Sequence, residues 1–466
     1  MSVAWPSVRL GDATTKIGSG ATPKGGETSY HSEGTPLIRS MNVIFFGFKR
    51  AGIAYLDEVQ ASALSGVSVE PNDVLLNITG ASIGRVTVAP ADLAGARVNQ
   101  HVCIIRPTEV LEPRFLSAFL SSPAMQTKIG GDHYGVTRQA LTKAQIVEFR
   151  VPCPPRIEQQ RIADKLDAVL ARVDACRERL DCLPGILKRF RQSVLAAATS
   201  GGLTEEWREQ RGASDDWLDC DIQAVAQVGT GSTPLRSNQN FFASTGTPWI
   251  TSAATSQSVV LFANEYVTEA AIAAHRLKKF PVGTLLVAMY GEGKTRGQVT
   301  ELGIEATINQ ACAAVVVDTR RAMRSFVKLA LQANYLEMRE LAEGGNQPNL
   351  NLSKVKSFPL SLPSMAEQAE IVRRVESLFA WADRVEARHV AACAQVERLA
   401  PSLLAKAFRG ELVPQDPADE PDSDLLKRLT LKPSAIPNAP MKRNGPKPQR
   451  AKPSRAASNV REESSS

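Results

Sequence analysis

The chain has 466 residues, of which 43% are hydrophobic and 22% are charged, which is the composition of a soluble protein with two to four domains. No apolar run approaches the ~18 residues of a membrane-spanning helix, and the first residues lack the features of a secretion signal. The formal net charge is +7, but residues 427–466 hold ten Lys and Arg against two Glu. This tail carries +8 and the rest of the chain −1, which excludes a generally basic folded body.

Seven cysteines are scattered along the chain, with no pair spaced by two residues and no clustering with histidine. This pattern predicts neither a disulfide framework nor a zinc site. We expect a metal-free protein of the reducing cytoplasm.

The two halves of the chain repeat each other at an offset near 210 residues. Gly-Ser-Gly-Ala-Thr-Pro at 18–23 recurs as Gly-Thr-Gly-Ser-Thr-Pro at 229–234, and Gly-Thr-Pro-Leu-Ile-Arg-Ser at 34–40 recurs as Gly-Thr-Pro-Trp-Ile-Thr-Ser at 246–252. Further landmarks follow in the same order: Asn99-Gln100 and Asn309-Gln310, Glu158-Gln159 and Glu367-Gln368, and helix ends near Ser193 and Ser402. A conserved order of landmarks indicates a duplication.

The first part of each repeat is rich in Gly, Thr, Ser and Asn, with short β-type runs at residues 74–78, 86–88 and 284–288 that end at glycine turns. These runs predict a mixed, mostly β domain, with short helical patterns near 114–119 and 325–341. The predicted domain bounds are 1–154 and 217–363.

The second part of each repeat predicts a long helix, over residues 155–200 and 364–410. Apolar side chains alternate in spacings of three and four residues, the heptad pattern of a coiled coil. Prolines precede both helices and glycines follow them, and Pro184 predicts a kink in the first helix. The principal seam positions are Ile162, Leu166, Val169, Val173, Leu180, Leu187, Ile371, Val375, Leu378, Val385, Val396 and Leu403, and the same spacing also places Cys176 and Leu399 on the seams.

Two segments lie outside these elements. Residues 201–216 predict a polar linker. Residues 411–466 are rich in Pro, Ser, Lys and Arg without periodicity, which predicts a disordered basic tail.

Two matching helices in one chain favour pairing with each other, because the effective concentration within a chain is high. The sequence therefore predicts an α+β fold: two similar α/β domains in inverted orientation, separated by two long antiparallel coiled-coil helices. Duplex DNA is also approximately two-fold symmetric, and two-domain readers contact half-sites about one helical turn apart. Because the two domains differ in sequence, we expect an asymmetric, split DNA target.

The layout resembles the DNA-specificity subunits of type I restriction–modification systems. The resemblance rests on the paired turns at 18–23 and 229–234, on the segments at 34–40 and 246–252, and on the matching helix starts and ends. Those starts are Pro-Pro-Arg-Ile-Glu-Gln-Gln-Arg-Ile at 154–162 and Pro-Ser-Met-Ala-Glu-Gln-Ala-Glu-Ile at 363–371. The match covers about residues 5–413, and the basic tail lies outside the family pattern.

The resemblance implies a non-catalytic, cytoplasmic adaptor. In the family, each variable domain reads one half of a bipartite DNA sequence. The helices bind two adenine-N6 methyltransferase subunits and, through them, ATP-dependent restriction subunits. The chain itself would bind no cofactor; S-adenosylmethionine, ATP and Mg would belong to the partners.

Candidate DNA contacts lie on glycine-turn segments, where Arg and Lys suit guanine or phosphate and Asn and Gln suit adenine. For each of them, a solvated turn residue is an equally good interpretation. The first domain offers Lys16, Thr22, Arg39, Asn42, Ser82, Arg85, Thr137, Arg138 and Gln139. The second offers Ser232, Arg236, Thr251, Tyr290, Lys294, Arg296, Asn346, Gln347 and Asn349. The recurring Asn-Gln pairs favour a structural role, since the two half-sites should differ.

Two other functions remain as alternatives. Residues 288–295 match a loosened phosphate-loop pattern, which would make the chain an NTPase. The glycine-broken sequence that follows does not favour the helix that such a loop needs, so a β-hairpin loop is the preferred interpretation. The other alternative is a coiled-coil scaffold without DNA contact. No methyltransferase tetrapeptide, serine elbow or histidine cluster is present, and catalysis by this chain alone is not expected.

Overall fold

The computed structural model describes residues 5–23, 25–131, 140–214, 216–290, 297–334 and 350–419. The chain divides into two compact units. The first takes the chain up to Val173 and from Arg398 onward, and the second takes Asp174–Glu397. Each unit contains one domain of sheets and short helices, which confirms the predicted two-domain, mixed α and β arrangement. Within the described ranges, no helix has the length and apolar character needed to cross a membrane.

The first sheet domain alternates short strands with turns and short helices. Its strands are β1 (Ser7–Arg9), β2 (Thr14–Ser19), β3 (Thr35–Ile38), β4 (Val43–Ile44), β5 (Gly47–Phe48), β6 (Ala54–Leu56), β7 (Val74–Asn77), β8 (Val86–Val88), β9 (Arg97–Val98), β10 (Val102–Pro107) and β11 (Arg150–Pro152). Its helices are α1 (Glu58–Ala63), α2 (Pro113–Ser121), α3 (Pro123–Gly130) and α4 (Lys143–Val147). The main sheet has the order β2-β10-β7-β8, a second has the order β6-β3-β9, and β1 pairs with β11.

Strands β7 and β10 form the centre of this domain. Leu75 and Leu76 of β7 point to opposite faces, yet both are fully buried. Leu76 packs in the cluster that contains Phe115 of α2, and Leu75 packs in the cluster that contains Ile38 of β3. Because both faces are covered, the strand reads as a continuous apolar run and not as an alternation.

The second sheet domain repeats this framework. Its strands are β12 (Leu218–Asp221), β13 (Ala226–Thr230), β14 (Phe242–Ala243), β15 (Thr247–Ile250), β16 (Val259–Val260), β17 (Glu265–Val267), β18 (Leu285–Ala288), β19 (Val299–Leu302), β20 (Thr307–Ile308), β21 (Cys312–Val317) and β22 (Pro359–Leu362). Two sheets have the orders β13-β21-β18-β19-β16 and β14-β17-β15-β20, and β12 pairs with β22. The helices among the described residues of this part are α7 (Ile222–Val225), α8 (Glu269–His275), α9 (Arg324–Ala333) and α10 (Leu352–Lys356).

The two domains depart from each other between β3 and β6 and at the corresponding place between β15 and β17. In the first domain, β4 and β5 form a separate hairpin, with Phe45 and Phe46 exposed at its turn. In the second domain a 3-10 turn, Ser252–Ser256, leads into β16, which pairs with β19 and extends the main sheet to five strands. The same position in the repeat therefore carries two different surfaces.

The predicted long helices are α5 (Arg156–Thr199) and α11 (Met365–Ala407), and both continue past their internal prolines, Pro184 and Pro401. Cys176 and Leu399 are exposed, whereas the twelve principal seam side chains are buried or half-buried. Those that are nearly inaccessible are Ile162, Leu166, Val173, Leu187, Ile371 and Val375. Those that are half-buried are Val169, Leu180, Leu378, Val385, Val396 and Leu403.

The buried stripe shifts near the end of α11. Leu404 and Ala407 are buried there, whereas Leu399, where the heptad pattern places a seam residue, is 44% exposed. A straight helix drifts about 20° per heptad relative to a 3.5-residue repeat. A neighbouring position therefore takes over the buried face.

Within the second unit, α5 and α11 touch through side chains. The rings of Phe190 and Trp381 lie 5.3 Å apart edge to face. The Arg191 guanidinium donates to Asp383 at 2.7 Å and to Glu386 at 2.8 Å. These contacts join the later part of α5 to the middle of α11.

Residues 201–216 differ from the predicted linker. They form a 3-10 turn, Gly202–Thr204, and the helix α6 (Glu205–Arg211), and Arg208 of α6 is buried. Its Nη1 donates to Glu367 Oε1 at 2.5 Å, and Thr204 donates to the same carboxylate at 2.7 Å. A buried ion pair thus fixes the segment to the start of α11, and its two residues are 159 positions apart along the chain.

Residues 411–419 also differ from the predicted disordered tail. Leu412 and Val413 pack against the core of the first unit. Asp419 accepts two hydrogen bonds from the Arg161 guanidinium on α5, at 3.0 and 2.6 Å. The prediction of disorder for residues 420–466 lies outside the described residues.

Candidate nucleic-acid interface

Each domain has a glycine turn at the end of β2 or β13 where two backbone segments nearly touch. A Cβ on Gly20 would lie 1.6 Å from the carbonyl oxygen of Val98, and a Cβ on Gly231 would lie 1.7 Å from that of Ile308. Only glycine fits at such a distance. The close approach explains why the second glycine of both turn motifs recurs.

The threonine of each turn motif is hydrogen-bonded to the glutamine of the recurring Asn-Gln pair. The Thr22 hydroxyl donates to Gln100 Oε1, and the Thr233 hydroxyl donates to Gln310 Oε1. Because the same contact occurs in both domains, it stabilises the fold that they share. Thr22, a candidate DNA contact from the sequence, thus has a structural partner that its equivalent in the second domain shares.

The asparagines of these pairs also make matching bonds. Asn99 Oδ1 accepts from the backbone N–H of His101 at 3.1 Å, and Asn309 Oδ1 accepts from that of Ala311 at 3.2 Å. Each side chain caps the turn between two strands. These bonds support the structural role that their recurrence predicts.

Two candidates of the first domain, Asn42 and Arg39, have their polar groups bound within the protein. Asn42 is fully buried; its Oδ1 accepts from the Arg39 N–H at 2.9 Å, and its Nδ2 donates to the Lys49 carbonyl at 2.9 Å. The Arg39 guanidinium pairs with Glu27 at 2.9 Å and donates to the Gly52 carbonyl at 2.6 Å. The expectation that Asn42 contacts a base does not fit this burial, because a base contact would break bonds inside the fold.

The other described candidates of the first domain lie on strands and turns. Lys16 of β2 is opposite Arg106 of β10, and burial, together with the nearby Arg106 guanidinium, lowers the pKa of Lys16. Arg85 and the half-buried Ser82 lie in the loop between β7 and β8. Arg85 is exposed and therefore fits a phosphate contact better than Asn42 does.

Arg236 of the second domain is held by three side chains. Its two terminal nitrogens donate to the two carboxylate oxygens of Glu265 at 2.8 and 2.9 Å. Its guanidinium lies 5.0 Å from the centre of the Phe242 ring and 5.1 Å from that of the Trp249 ring. The bond to Glu265 raises the pKa of Arg236. A bidentate pair stacked on aromatic rings is rigid compared with a solvated arginine.

Arg236 and Thr251 line one recess of about 240 Å³ on the second domain. We call it the β15 recess; its other lining residues include Gln257, Phe262 and Asn264. The Phe262 ring is 64% exposed. The structure thus brings together two sequence candidates and adds two carboxamides and an aromatic ring.

The two remaining described candidates of the second domain lie elsewhere. The carbonyl of Ser232 accepts from Trp249 Nε1 at 3.2 Å, and Tyr290, 38% exposed, follows β18. Eight candidates lie outside the described residues: Thr137, Arg138, Gln139, Lys294, Arg296, Asn346, Gln347 and Asn349.

Sequence reasoning missed Gln257, Asn264 and Glu265. They lie on a segment without periodicity or a recurring motif, and only the fold brings Glu265 beside Arg236, 29 positions earlier in the chain. The sequence contains one indirect indication of this region: the segment 252–264 does not match its counterpart in the first repeat.

The strands on either side of residues 289–298 test whether this segment is a phosphate loop. Strand β18 precedes the segment and β19 follows it, and the two pair antiparallel with Val287 opposite Val299. A phosphate loop must lead into a helix whose N-terminal amides face the phosphates. The antiparallel pairing of β18 and β19 fits the predicted β-hairpin and gives no support to an NTPase, and residues 291–296 between them lie outside the described residues. Within the described ranges, no group of His, Cys, Asp and Glu side chains is arranged to hold a metal ion.

Comparison with known proteins agrees with the duplicated fold. The solved HsdS subunit from Thermoanaerobacter tengcongensis aligns with a TM-score of 0.58 at 18% identity, over 87% of this chain and 97% of that one. A chain solved in work on complex assembly of the type I R-M system aligns with a TM-score of 0.64 at 19% identity, over 87% and 98%.

Sequence comparison gives the family. The type I restriction enzyme EcoKI specificity subunit of Escherichia coli K12 is 28% identical over 417 residues, 83% of this chain and 84% of that protein. The EcoBI specificity subunit of Escherichia coli is 29% identical over 435 residues, 90% and 88%. The model of the type I restriction modification DNA specificity domain matches residues 3–181 and, a second time, residues 214–390. With both halves matched by this one model, the chain is a member of the type I restriction–modification DNA specificity family.

Proposed function

We propose that this chain is the DNA-recognition subunit of a type I restriction–modification complex, and that each sheet domain reads one half of an asymmetric bipartite sequence. The observation that carries the proposal is the double match to the specificity family, on two domains that share a framework. The domains differ between β3 and β6 and between β15 and β17. Two copies of one scaffold with different surfaces suit a target whose halves differ.

The two long helices would form an antiparallel coiled coil that places the domains in inverted orientation. Burial of Leu187 on α5 and of Ala382 on α11, both in the second unit, supports a shared seam. The contact between Phe190 and Trp381 supports helix pairing. A rod of this kind would set the gap between the half-sites.

The exposed faces of these helices would dock two methyltransferase subunits and, through them, restriction subunits. The chain itself would be non-catalytic and would bind no cofactor. S-adenosylmethionine, ATP and Mg would act in the partners. A scaffold without DNA contact is disfavoured by the match of both sheet domains to a DNA specificity model.

The test is to produce the chain with its methyltransferase subunits and to map N6-methyladenine across the host genome. We expect one asymmetric two-part motif. Replacing residues 1–154 with the first domain of another specificity subunit should change one half of the motif and leave the other half intact. Methylation without a sequence motif, or a motif that no domain exchange alters, would contradict the proposal.

A further inference from the structure

The β15 recess lies where the two duplicated domains differ. Around it, β3 and β15, β6 and β17, and the glycine turns repeat closely, whereas the segment 252–264 replaces the β4–β5 hairpin of the first domain. If the two half-sites of a DNA target differ, the surfaces that read them must differ as well. This recess is therefore a better candidate for base reading than any element that the domains share.

The recess is also lined by the chemical groups that read base edges. A carboxamide can donate to and accept from adenine in the major groove, and an apolar side chain can contact the thymine methyl group. Gln257 and Asn264 supply two carboxamides, and Phe262 supplies an exposed ring. Both carboxamide residues are exposed, and neither side chain makes a hydrogen bond to another described residue. By contrast, Asn42 of the first domain uses its carboxamide inside the fold.

Arg236 and Glu265 form one wall of this recess. The bidentate bonds between them and the two aromatic rings beside Arg236 fix both side chains. An arginine that reads guanine would have to leave these partners. Arg236 is for this reason a positioning residue, and it holds the wall against which a base pair would be read.

We propose that the β15 recess determines the specificity of the half-site read by the second domain, with Gln257 and Asn264 as the base-reading groups. The inference rests on the proposed function, because it names the residues that perform half of the DNA recognition. The inference goes beyond the proposed function in two ways: it assigns base reading to one recess, and it gives Arg236 a positioning role in place of a base contact.

The experiment uses the complete methyltransferase complex and genome-wide mapping of N6-methyladenine. The variants are Gln257→Ala, Asn264→Ala and the double substitution, and the matched control is Gln227→Ala, an exposed carboxamide of β13 in the same domain. We expect one or two positions of a single half-site to become degenerate. Discrimination at those positions should fall roughly 5- to 150-fold, while the other half-site and the control keep the wild-type motif.

The isosteric variants Gln257→Glu and Asn264→Asp test the same groups without changing the size of the side chains. A carboxylate can only accept, so preference should shift from adenine toward cytosine, whose amino group donates. A wild-type motif in both the double alanine variant and the isosteric variants would overturn the assignment of base reading to the β15 recess. A loss of methylation that is equal at all sites would overturn it as well. Either result leaves the proposed function in place if the unaltered complex methylates a two-part motif. Absence of such a motif for the unaltered complex would instead reject the proposed function.

Discussion

Gln159 and Gln368 occupy equivalent places at the starts of α5 and α11, and both are nearly inaccessible. Gln159 accepts from the Glu112 N–H at 2.8 Å and donates to the Pro154 carbonyl at 2.9 Å. Gln368 accepts from the Met323 N–H at 2.7 Å and donates to the Pro363 carbonyl at 2.8 Å. The recurring Glu-Gln pair of the sequence is thus a device that ties each long helix to its sheet domain.

Replacing Gln368 by alanine should destabilise the second unit by about 2–4 kcal/mol. The substitution leaves the buried Pro363 carbonyl and the half-buried Met323 N–H without partners; a fully buried group costs roughly 1–3 kcal/mol, and the half-buried one costs less. Urea unfolding followed by tryptophan fluorescence measures the change, because the second unit contains Trp217, which contacts Phe326, and also Trp207, Trp249 and Trp381. Gln227→Ala is the matched control, and an equal midpoint for both variants would contradict the assignment.

The buried cysteines of the two central strands give a chemical test of the fold. Burial raises the pKa of both Cys103 and Cys312 to about 12, so neither forms the reactive thiolate near neutral pH. Cys176 and Cys182 of α5 are exposed. Iodoacetamide at pH 8 should label the two α5 thiols in the native protein and reach the two strand thiols only after denaturation. Mass spectrometry of peptides from both conditions measures this, and early labelling of Cys103 would show that the strand is open.

Some residue roles could be read from the sequence and others could not. Recurrence alone predicted that Asn99 and Asn309 are structural. The sequence could not show that Asn42 is buried or that Arg236 forms an ion pair. Both depend on partners that only the fold brings near, such as Glu265 for Arg236. A side chain's type predicts which groups it can bind, but its partners decide whether it remains available to a ligand.

At the scale of elements, the heptad pattern predicted α5 and α11 to within a residue or two at most ends. Period and boundary signals are local in sequence, which is why they succeed. Helix α6 was missed because its anchor, Glu367, is distant along the chain. A polar stretch with one buried arginine looks like a linker until its carboxylate partner is known.

The ion pair between Arg208 and Glu367 should be essential for holding α6. Their side chains are only 10% and 3% exposed, and removing one partner of such a pair leaves a buried charge, which costs about 3–5 kcal/mol. Arg208→Ala should lower the free energy of unfolding of the second unit by about that amount. Adding Glu367→Gln should recover part of the loss, since the remaining group is then neutral.

Arg211 of the same helix provides the comparison. It is exposed and lies over the Trp207 ring at 4.8 Å, so Arg211→Ala should change the free energy of unfolding by no more than about 1 kcal/mol. If calorimetry gave similar losses of unfolding free energy for Arg208→Ala and Arg211→Ala, the buried ion pair would not stabilise the unit more than the exposed contact does.

At the scale of the molecule, the length of the helices is the quantity to vary. Deleting residues 176–182 from α5 and 389–395 from α11 removes one heptad from each seam, about 10 Å of helix, or about three base pairs of duplex. If the paired helices set the gap, the spacer between the half-sites should shorten by about that number. Methylome mapping of the complex reads the spacer directly.

Deletion of only one of the two heptads is the informative control. It misaligns the seams, so the complex should lose methylation or assemble poorly. A functional double-deletion variant with an unchanged spacer would show that the helices do not act as the measuring element.

The contacts at Gly20 and Gly231 constrain how such a protein can change over evolutionary time. Backbone meets backbone there, and each adjoining threonine is bound to a glutamine across the turn. These fixed joints leave little room for substitution, whereas the stretches between them can be exchanged without disturbing the strands on either side. New sequence preferences can therefore arise by replacing one stretch at a time, in either half, while the rest of the chain keeps its shape.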